Sequence, residues 1–328
     1  MNRLITYGSV DAIPFYNCSW RSQEDWFKTG QPRPWLGYPI LIFGVFIELL
    51  YPPILYIIFK TKLIRHACYK IIVLLAIVDM TATILSCPVS GILFIQGAVF
   101  CSYPTFLYVI GTLVLATWCT SCACTLFLFL NRIVTITLPE YMDRIETKLS
   151  YISIAICISY FFFLTFFTPT VCFNSAIMVY LPDPLSEETP SEAAADMYRN
   201  TPQAWNNWIF VASMLFLYTM YFVKVKKIAR GQGSKASMAI FLQCAVICFF
   251  NTVCALVYNS LSLVTPAPWI LLLGQVCWSV NHGCPAIIYV TMNDTIRKEF
   301  KRLVFGIKYS RKVDDATMST TNATKSRI

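Results

Sequence analysis

Charge is scarce in this chain: Asp, Glu, Lys and Arg together make up 13% of 328 residues, about half the share that a water-soluble domain carries. With 57% of residues apolar, there is too little polar surface to cover a globule, which excludes an ordinary soluble enzyme. Histidine is scarcer still. His66 and His282 are the only two, too few for the clustered-histidine sites of membrane hydrolases or desaturases. Internal repeats of roughly 20–50 residues are missing as well, as are a Gly/Ser linker between domains and an evident cleavable leader ahead of the first apolar stretch. The expected chain is therefore a non-enzyme with no cofactor and no metal site.

What the chain does have is apolar mass in long runs. A bilayer core about 30 Å thick needs roughly 20 apolar residues per helix. Seven stretches bounded by charge or turn residues are read as spans, at roughly 36–59, 70–95, 104–130, 150–172, 208–223, 238–263 and 269–292. The expected fold is an all-α membrane protein, a seven-transmembrane helix bundle with a short amphipathic eighth helix. Residues 1–35 form the segment before the bundle, 36–292 the bundle, and 293–328 the amphipathic helix and a disordered tail. The eighth helix is read from Ile296, Phe300, Leu303 and Val304, which share one face opposite basic residues.

Orientation follows from the basic residues, which favour the cytoplasmic side. Arg3, Arg21, Lys28, Arg33 and Arg199 fall on one side of the seven-span scheme, and the remaining 21 of the 26 Lys and Arg fall on the other. The N-terminus is thus expected outside and the C-terminus inside. The net charge of +9 marks the inner face and its anionic lipid, not a nucleic-acid partner. The sequon Asn17-Cys18-Ser19 lies on the expected outer side as a glycosylation candidate, whereas those at Asn293 and Asn322 fall inside and are expected to stay unmodified.

Ionisable groups at membrane depth are expensive and mark candidate functional positions. Asp79, in the second span, admits two readings: a carboxylate in a polar network or sodium site that changes state, or one partner in a static interhelical hydrogen bond. Glu48 in the first span is the other deep acid, either paired or protonated. Asn131 and Arg132 end the third span, where the arginine either reaches across the cytosolic mouth or serves as a charge at a helix end. On the last span lie Asn281, His282 and, lower down, Pro285 with Tyr289. Pro88, Pro169 and Pro285 fall within or near span ends and permit kinks.

Of fourteen cysteines, most read as small polarizable packing residues, including the string Cys119, Cys122, Cys124. Cys18, Cys101 and Cys172 stand on or near the outer, oxidising side. A Cys101–Cys172 bridge would clamp the outer ends of the bundle. Cys18 is the competing partner, and one of the three is left free.

These residues resemble a known family. Seven spans, a cysteine at the outer end of the third, Asn-Arg at its inner end, Asp in the second and a Pro/Tyr pair in the seventh look like a G-protein-coupled receptor. More narrowly, the chain is similar to the nematode serpentine chemoreceptors of class T. The similarity rests on Tyr7-Gly8-Ser9-Val10-Asp11-Ala12-Ile13-Pro14, Tyr16-Asn17-Cys18, Cys68-Tyr69-Lys70-Ile71, Gly97-Ala98-Val99-Phe100-Cys101, Phe173-Asn174-Ser175, Gly274-Gln275 and His282-Gly283, spread over most of residues 7–305.

The resemblance implies a chemosensory receptor in the plasma membrane or a sensory cilium. It implies a small-molecule ligand outside, a heterotrimeric G protein inside and the bilayer as surroundings, with homo- or hetero-dimerisation left open. It also marks Asp79, Asn131, Arg132, Asn281, Pro285 and Tyr289 as activation-switch candidates. The chain departs from rhodopsin-like receptors in four places: Asn131 stands where an acid usually adjoins the arginine, Pro285 and Tyr289 are separated by three residues, Cys101 and Arg132 are 31 positions apart, and the sixth span has no proline. A seven-span channel is opposed by the basic-residue count, and a transporter by the lack of paired repeats.

Overall fold

Apolar runs of this length, joined by short segments, can satisfy their backbone in hydrocarbon only as helices, and a computed structural model has that form. The structure describes residues 1–137, 139–184, 192–220, 235–263 and 267–307. Most of the basic loop Lys224–Ser237, the acidic residues Glu187 and Glu188, the sequon at Asn322 and the polar tail lie outside the described residues. The helices run α1 (Asn2–Tyr7), α2 (Gln23–Thr29), α3 (Pro34–Lys60), α4 (Ala67–Ile84), α5 (Ser90–Gln96), α6 (Pro104–Thr137), α7 (Pro139–Phe167), α8 (Glu192–Tyr198), α9 (Thr201–Met220), α10 (Lys235–Leu263), α11 (Pro268–Met292) and α12 (Asp294–Phe305). One hairpin, β1 (Cys172–Asn174) with β2 (Val179–Leu181), stands between α7 and α8.

Among the described residues, five rods are long and apolar enough to cross a membrane: Pro34–Lys60, Ala67–Gln96, Pro104–Thr135, Ile145–Phe167 and Phe241–Ser260. α9 and α11 carry more polar residues, yet their 20 and 25 residues reach about 30 and 38 Å at 1.5 Å per residue. Both are packed into the same bundle. α6 runs through its middle against α4, α7, α9 and α10, and α11 closes the ring between α10 and α3. α3 illustrates the solvent that the bundle requires. Its inner stripe holds Ile40, Ile47, Tyr51, Ile54 and Ile58, while Tyr38, Ile42, Phe46, Leu49 and Tyr56 are exposed on the opposite side. Hydrocarbon solvates such a face and water does not, so the chain is an all-α membrane protein.

Pro88 sets the shape of the second rod. Lacking an N–H, it cannot donate to the preceding turn, and residues Leu85–Val89 widen into a π-turn that joins α4 to α5. The carbonyls loosened there find side-chain donors. Ser90 Oγ donates to Leu85 O at 2.7 Å, and Gln275 Nε2 and Ser279 Oγ donate to Ser86 O at 3.2 and 3.3 Å. The kink is thereby tied to α11.

Residues 1–33 and the hairpin form a cap over one end of the bundle. Val10, Ile13, Tyr16 and Trp26 are buried, and Tyr16 meets Phe100, Tyr108 and Tyr198 edge-on at 5.3–5.8 Å. Arg33 crosses to the hairpin turn, donating from Nε to Ser175 O and from Nη2 to Ala176 O, both at 2.8 Å. The hairpin pairs Cys172 with Leu181, Phe173 with Tyr180 and Asn174 with Val179. It lies so close to α6 that a Cβ on Gly111 would fall 1.6 Å from Val171 O, which is why that position has no side chain.

Several boundaries differ from the sequence expectation, among them the inner joint, where α6 runs on to Thr137 and α7 starts at Pro139. The fourth rod ends at Phe167, so Cys172 belongs to β1 and not to a span. The fifth begins at Thr201, because Gln203, Asn206 and Asn207 are helical despite their polarity. At the opposite end of the bundle α12 lies against α3. Asn293 Oδ1 caps it by accepting Ile296 N–H at 3.1 Å. Ile296 and Phe300 are buried, and Leu303, Val304 and Phe305 remain exposed.

Candidate functional site

Beneath the hairpin lies a narrow cavity of about 20 Å³, walled by Val114, Leu115 and Trp118 of α6, Tyr180 of β2, Tyr258 of α10 and Trp278 of α11. It continues into a wider space of about 380 Å³ that shares Val171, Tyr180, Gln203 and Tyr258 and opens toward Arg199 and Asn200. Such an apolar, aromatic lining with a few polar groups is what small-molecule sites require. Tyr180 is held in place from above and the side: its hydroxyl is 3.0 Å from Ser90 Oγ, and its ring meets Phe173 at 5.2 Å and Trp278 at 5.6 Å. On the α9 side, Trp118 Nε1 donates to Asn207 Oδ1 at 2.9 Å.

The floor of the cavity rests on a polar junction. Trp118 and Trp278 both stand perpendicular to the His282 ring at 6.1 Å. His282 Nδ1 lies 2.8 Å from Asp79 Oδ1, which also accepts Ser121 Oγ–H at 3.1 Å. Asp79, Ser121 and His282 are each at most 1% exposed, so one carboxylate joins α4, α6 and α11 at the centre of the bundle. From α3, Tyr51 donates its hydroxyl proton to His282 O at 2.8 Å. The partnership of His282 with Asp79 went unnoticed in the sequence. The signal available was the cost argument itself: the one histidine and the one aspartate deep in the spans satisfy each other most cheaply as a pair. Glu48 shows no such partner among the described residues at Oε1.

Farther along α11, Pro285 removes the backbone donor to Asn281 O, and Cys284 Sγ takes its place at 3.3 Å. Asn281 Nδ2 donates to Asn251 Oδ1 of α10 at 3.3 Å. Tyr289 is buried, one turn below Pro285. Nearer the end of the rod, Asn293 Nδ2 donates to Tyr69 Oη at 2.8 Å and approaches Gln243 Oε1 at 3.4 Å, linking α4, α10 and α11.

Arg132 stands at the end opposite the cap. Its Nε donates to Asn131 Oδ1 at 3.0 Å, and its Nη2 donates both to that oxygen and to Glu146 Oε1 of α7, the latter at 2.9 Å. The acid missing beside the arginine in sequence is thus supplied from the next helix. Nothing adjacent to Arg132 pointed to Glu146. A residue 14 positions away becomes a neighbour only once the joint between α6 and α7 is folded.

The outer cysteines pair differently from the leading expectation. Cys18 is bonded to Cys101, and Cys172 remains a buried free thiol. The physical reason is position. Trp26 Nε1 holds Cys18 O at 2.9 Å, and Asp11 Oδ1 accepts Cys18 N–H at 2.9 Å, which fixes the N-terminal segment beside the turn that carries Cys101. Cys172 instead turns along the hairpin toward Pro182 O at 4.0 Å. Asn17 is exposed next to the bridge, its Oδ1 accepting from the Ser19 backbone and hydroxyl at 2.8 and 2.7 Å.

Comparison with known proteins finds relatives along nearly the whole chain. A family model described as "Serpentine type 7TM GPCR chemoreceptor Srt" matches residues 3–313. Serpentine receptor class T-55 of Caenorhabditis elegans is 23% identical over 318 residues, which is 95% of this chain and 86% of that protein.

Proposed function

The chain belongs to the serpentine 7TM GPCR chemoreceptor family Srt, and on that premise we propose that it detects a small molecule at the capped end and signals to a heterotrimeric G protein at the Arg132 end. The observation that carries the reading is continuity. The aromatic floor of the cavity touches His282, His282 holds Asp79, and α11 continues through Asn281 to the inner networks.

A ligand seated on Trp118 and Trp278 favours whichever arrangement of the bundle it fits better, and it shifts the equilibrium only by that difference in affinity. The Asp79–His282 junction is the element that such a shift strains, because each group is buried and would be left without its partner by a relative movement of α4 and α11. At the far end, the Arg132–Glu146 pair joins α6 to α7 in the resting arrangement. Its release frees the guanidinium for a partner protein. The orientation of this scheme rests on the distribution of Lys and Arg and on the disulfide, which needs an oxidising compartment. The cap then faces outside, with Asn17 available for glycosylation, in the plasma membrane or a sensory cilium.

The test is a reporter screen of cells expressing the receptor against small odorants and secreted metabolites, with Val114→Trp in parallel. The larger side chain fills the cavity. A compound that activates the wild type is expected to lose its effect on Val114→Trp at unchanged surface level. Equal responses from both would remove the cavity from the account.

A further inference from the structure

The two joined spaces beneath the hairpin have an imbalance of hydrogen-bonding groups. Several polar side chains on their walls are already engaged. Tyr180 Oη is bonded to Ser90 Oγ, Asn207 Oδ1 accepts from both Trp118 Nε1 and Asn206 Nδ2, and Asn200 uses both ends of its amide, donating to Pro169 O at 2.6 Å and accepting from Gln203 N at 2.9 Å. Two others are not. Asn259 of α10 lines the wider space and is 5% exposed, and its Nδ2 has no hydrogen-bond partner among the described residues. Trp278 lines the narrow space and is 2% exposed, and its Nε1 has none either. Both of these groups are N–H donors, and a buried donor without an acceptor carries its full desolvation cost. The walls are therefore short of acceptors. They are also without acid: no Asp or Glu lines either space among the described residues, and the cation there, Arg199, stands at the mouth with its side chain 69% exposed and paired to Asp196 at 3.3 Å.

We infer that this cavity selects an uncharged carbonyl compound, a ketone, aldehyde or ester on a compact apolar body, whose oxygen accepts the free N–H of Asn259. The inference rests on the reading of the cavity as the ligand site and adds the chemical class of the ligand. An ammonium brings donors only and would be buried beside further donors with no carboxylate to pair with, which is the costliest setting for a charge. A carboxylate would leave water for walls whose guanidinium is already paired and solvated. An alcohol can accept, yet it brings an O–H of its own to walls short of buried acceptors. A carbonyl oxygen has two lone pairs and nothing to donate, so it corrects the imbalance without adding to it. The narrow space, about 20 Å³, holds about one water-sized group, so a single further oxygen suffices for Trp278 Nε1. The wider space, about 380 Å³, lies near the lower end of the roughly 300–1,000 Å³ of small-molecule sites, which sets the compact size.

The test measures equilibrium binding to purified full-length receptor in nanodiscs, with no G protein present. The probes are acetophenone, cyclohexanone, ethyl benzoate and larger members of each series, each ketone beside the alcohol and the amine of the same carbon skeleton and each ester beside its free acid. Carbonyl compounds are expected to bind about fivefold tighter than the alcohols, the worth of one neutral hydrogen bond, and more than about tenfold tighter than the amines and acids. Asn259→Asp keeps the shape and exchanges the donor for an acceptor, so it should reverse the order of ketone and amine. Should that variant fail to fold, the wild-type series alone decides. The inference is overturned if carbonyl compounds bind no tighter than their alcohols, if amines or acids bind tighter, or if no carbonyl compound binds. Val114→Trp separates this failure from that of the ligand site itself. A compound of another class whose binding is lost on Val114→Trp keeps the cavity and removes only its assigned chemistry, whereas binding that ignores Val114→Trp removes the cavity.

Discussion

Replacing Glu146 with Ala removes the restraint on Arg132 without touching the arginine. The side chain of Arg132 is 8% exposed and that of Glu146 is 26% exposed. Fully exposed pairs contribute about 0.2–1 kcal/mol, and breaking a fully buried one costs about 3–5 kcal/mol. This pair lies between those limits, and Asn131 Oδ1 still accepts from the guanidinium in the variant, so about 1.5 kcal/mol of the resting state is lost. That changes a two-state ratio about 12-fold. A receptor that is about 1% active at rest would become about 10% active. Guanine-nucleotide exchange on a panel of heterotrimers, measured with purified receptor in nanodiscs and no ligand, reads this directly. Glu146→Ala is expected to raise basal exchange roughly tenfold, and Glu146→Ala combined with Arg132→Ala to abolish the gain. Basal exchange equal to wild type at equal receptor amounts would refute the restraint.

Two further expectations concern the junctions above it. Cys18→Ser and Cys101→Ser should each reduce surface expression sharply, since the bridge spans 83 residues and the chain-entropy account assigns such a loop about 4.5 kcal/mol. Cys172→Ser should leave surface level close to wild type, and a loss as large as that of Cys101→Ser would contradict the pairing. Asp79→Leu leaves His282 Nδ1 buried without its hydrogen-bond partner, a penalty of about 2 kcal/mol, and should lower the melting temperature of detergent-solubilised receptor by about 5 °C. Asp79→Asn keeps an acceptor oxygen and should retain most of the stability. Equal losses in both would mean that charge, not hydrogen bonding, holds the junction.

Much of the architecture was legible in the sequence, because hydrocarbon imposes a length and a polarity on every span. What eluded the sequence is what depends on the third dimension. The polar start of α9 broke the apolar pattern for a reason: the amides of Asn207 and Asn206 bond inward and sideways to Trp118 and Tyr160. Asp79 was marked by its depth, yet its partner lies 203 residues away, and a single sequence carries no distance. The disulfide joins two of the three cysteines that the sequence singles out. Choosing among them required knowing that residues 1–33 fold back as a cap, which no periodicity announces. Arg132 was marked while Glu146 was not, because a carboxylate near a helix start reads as an ordinary solvated charge until the neighbouring helix is in place.

The central claim is that the cavity at the capped end and the Arg132 end are two faces of one equilibrium. Linkage makes this measurable: whatever raises the active population without touching the cavity must raise ligand affinity by a corresponding factor. The decisive measurement is the equilibrium affinity of the first active compound from the screen for wild type and for Glu146→Ala in nanodiscs. The account predicts binding about tenfold tighter to the variant. Raised basal exchange with unchanged affinity would show that the two ends do not communicate.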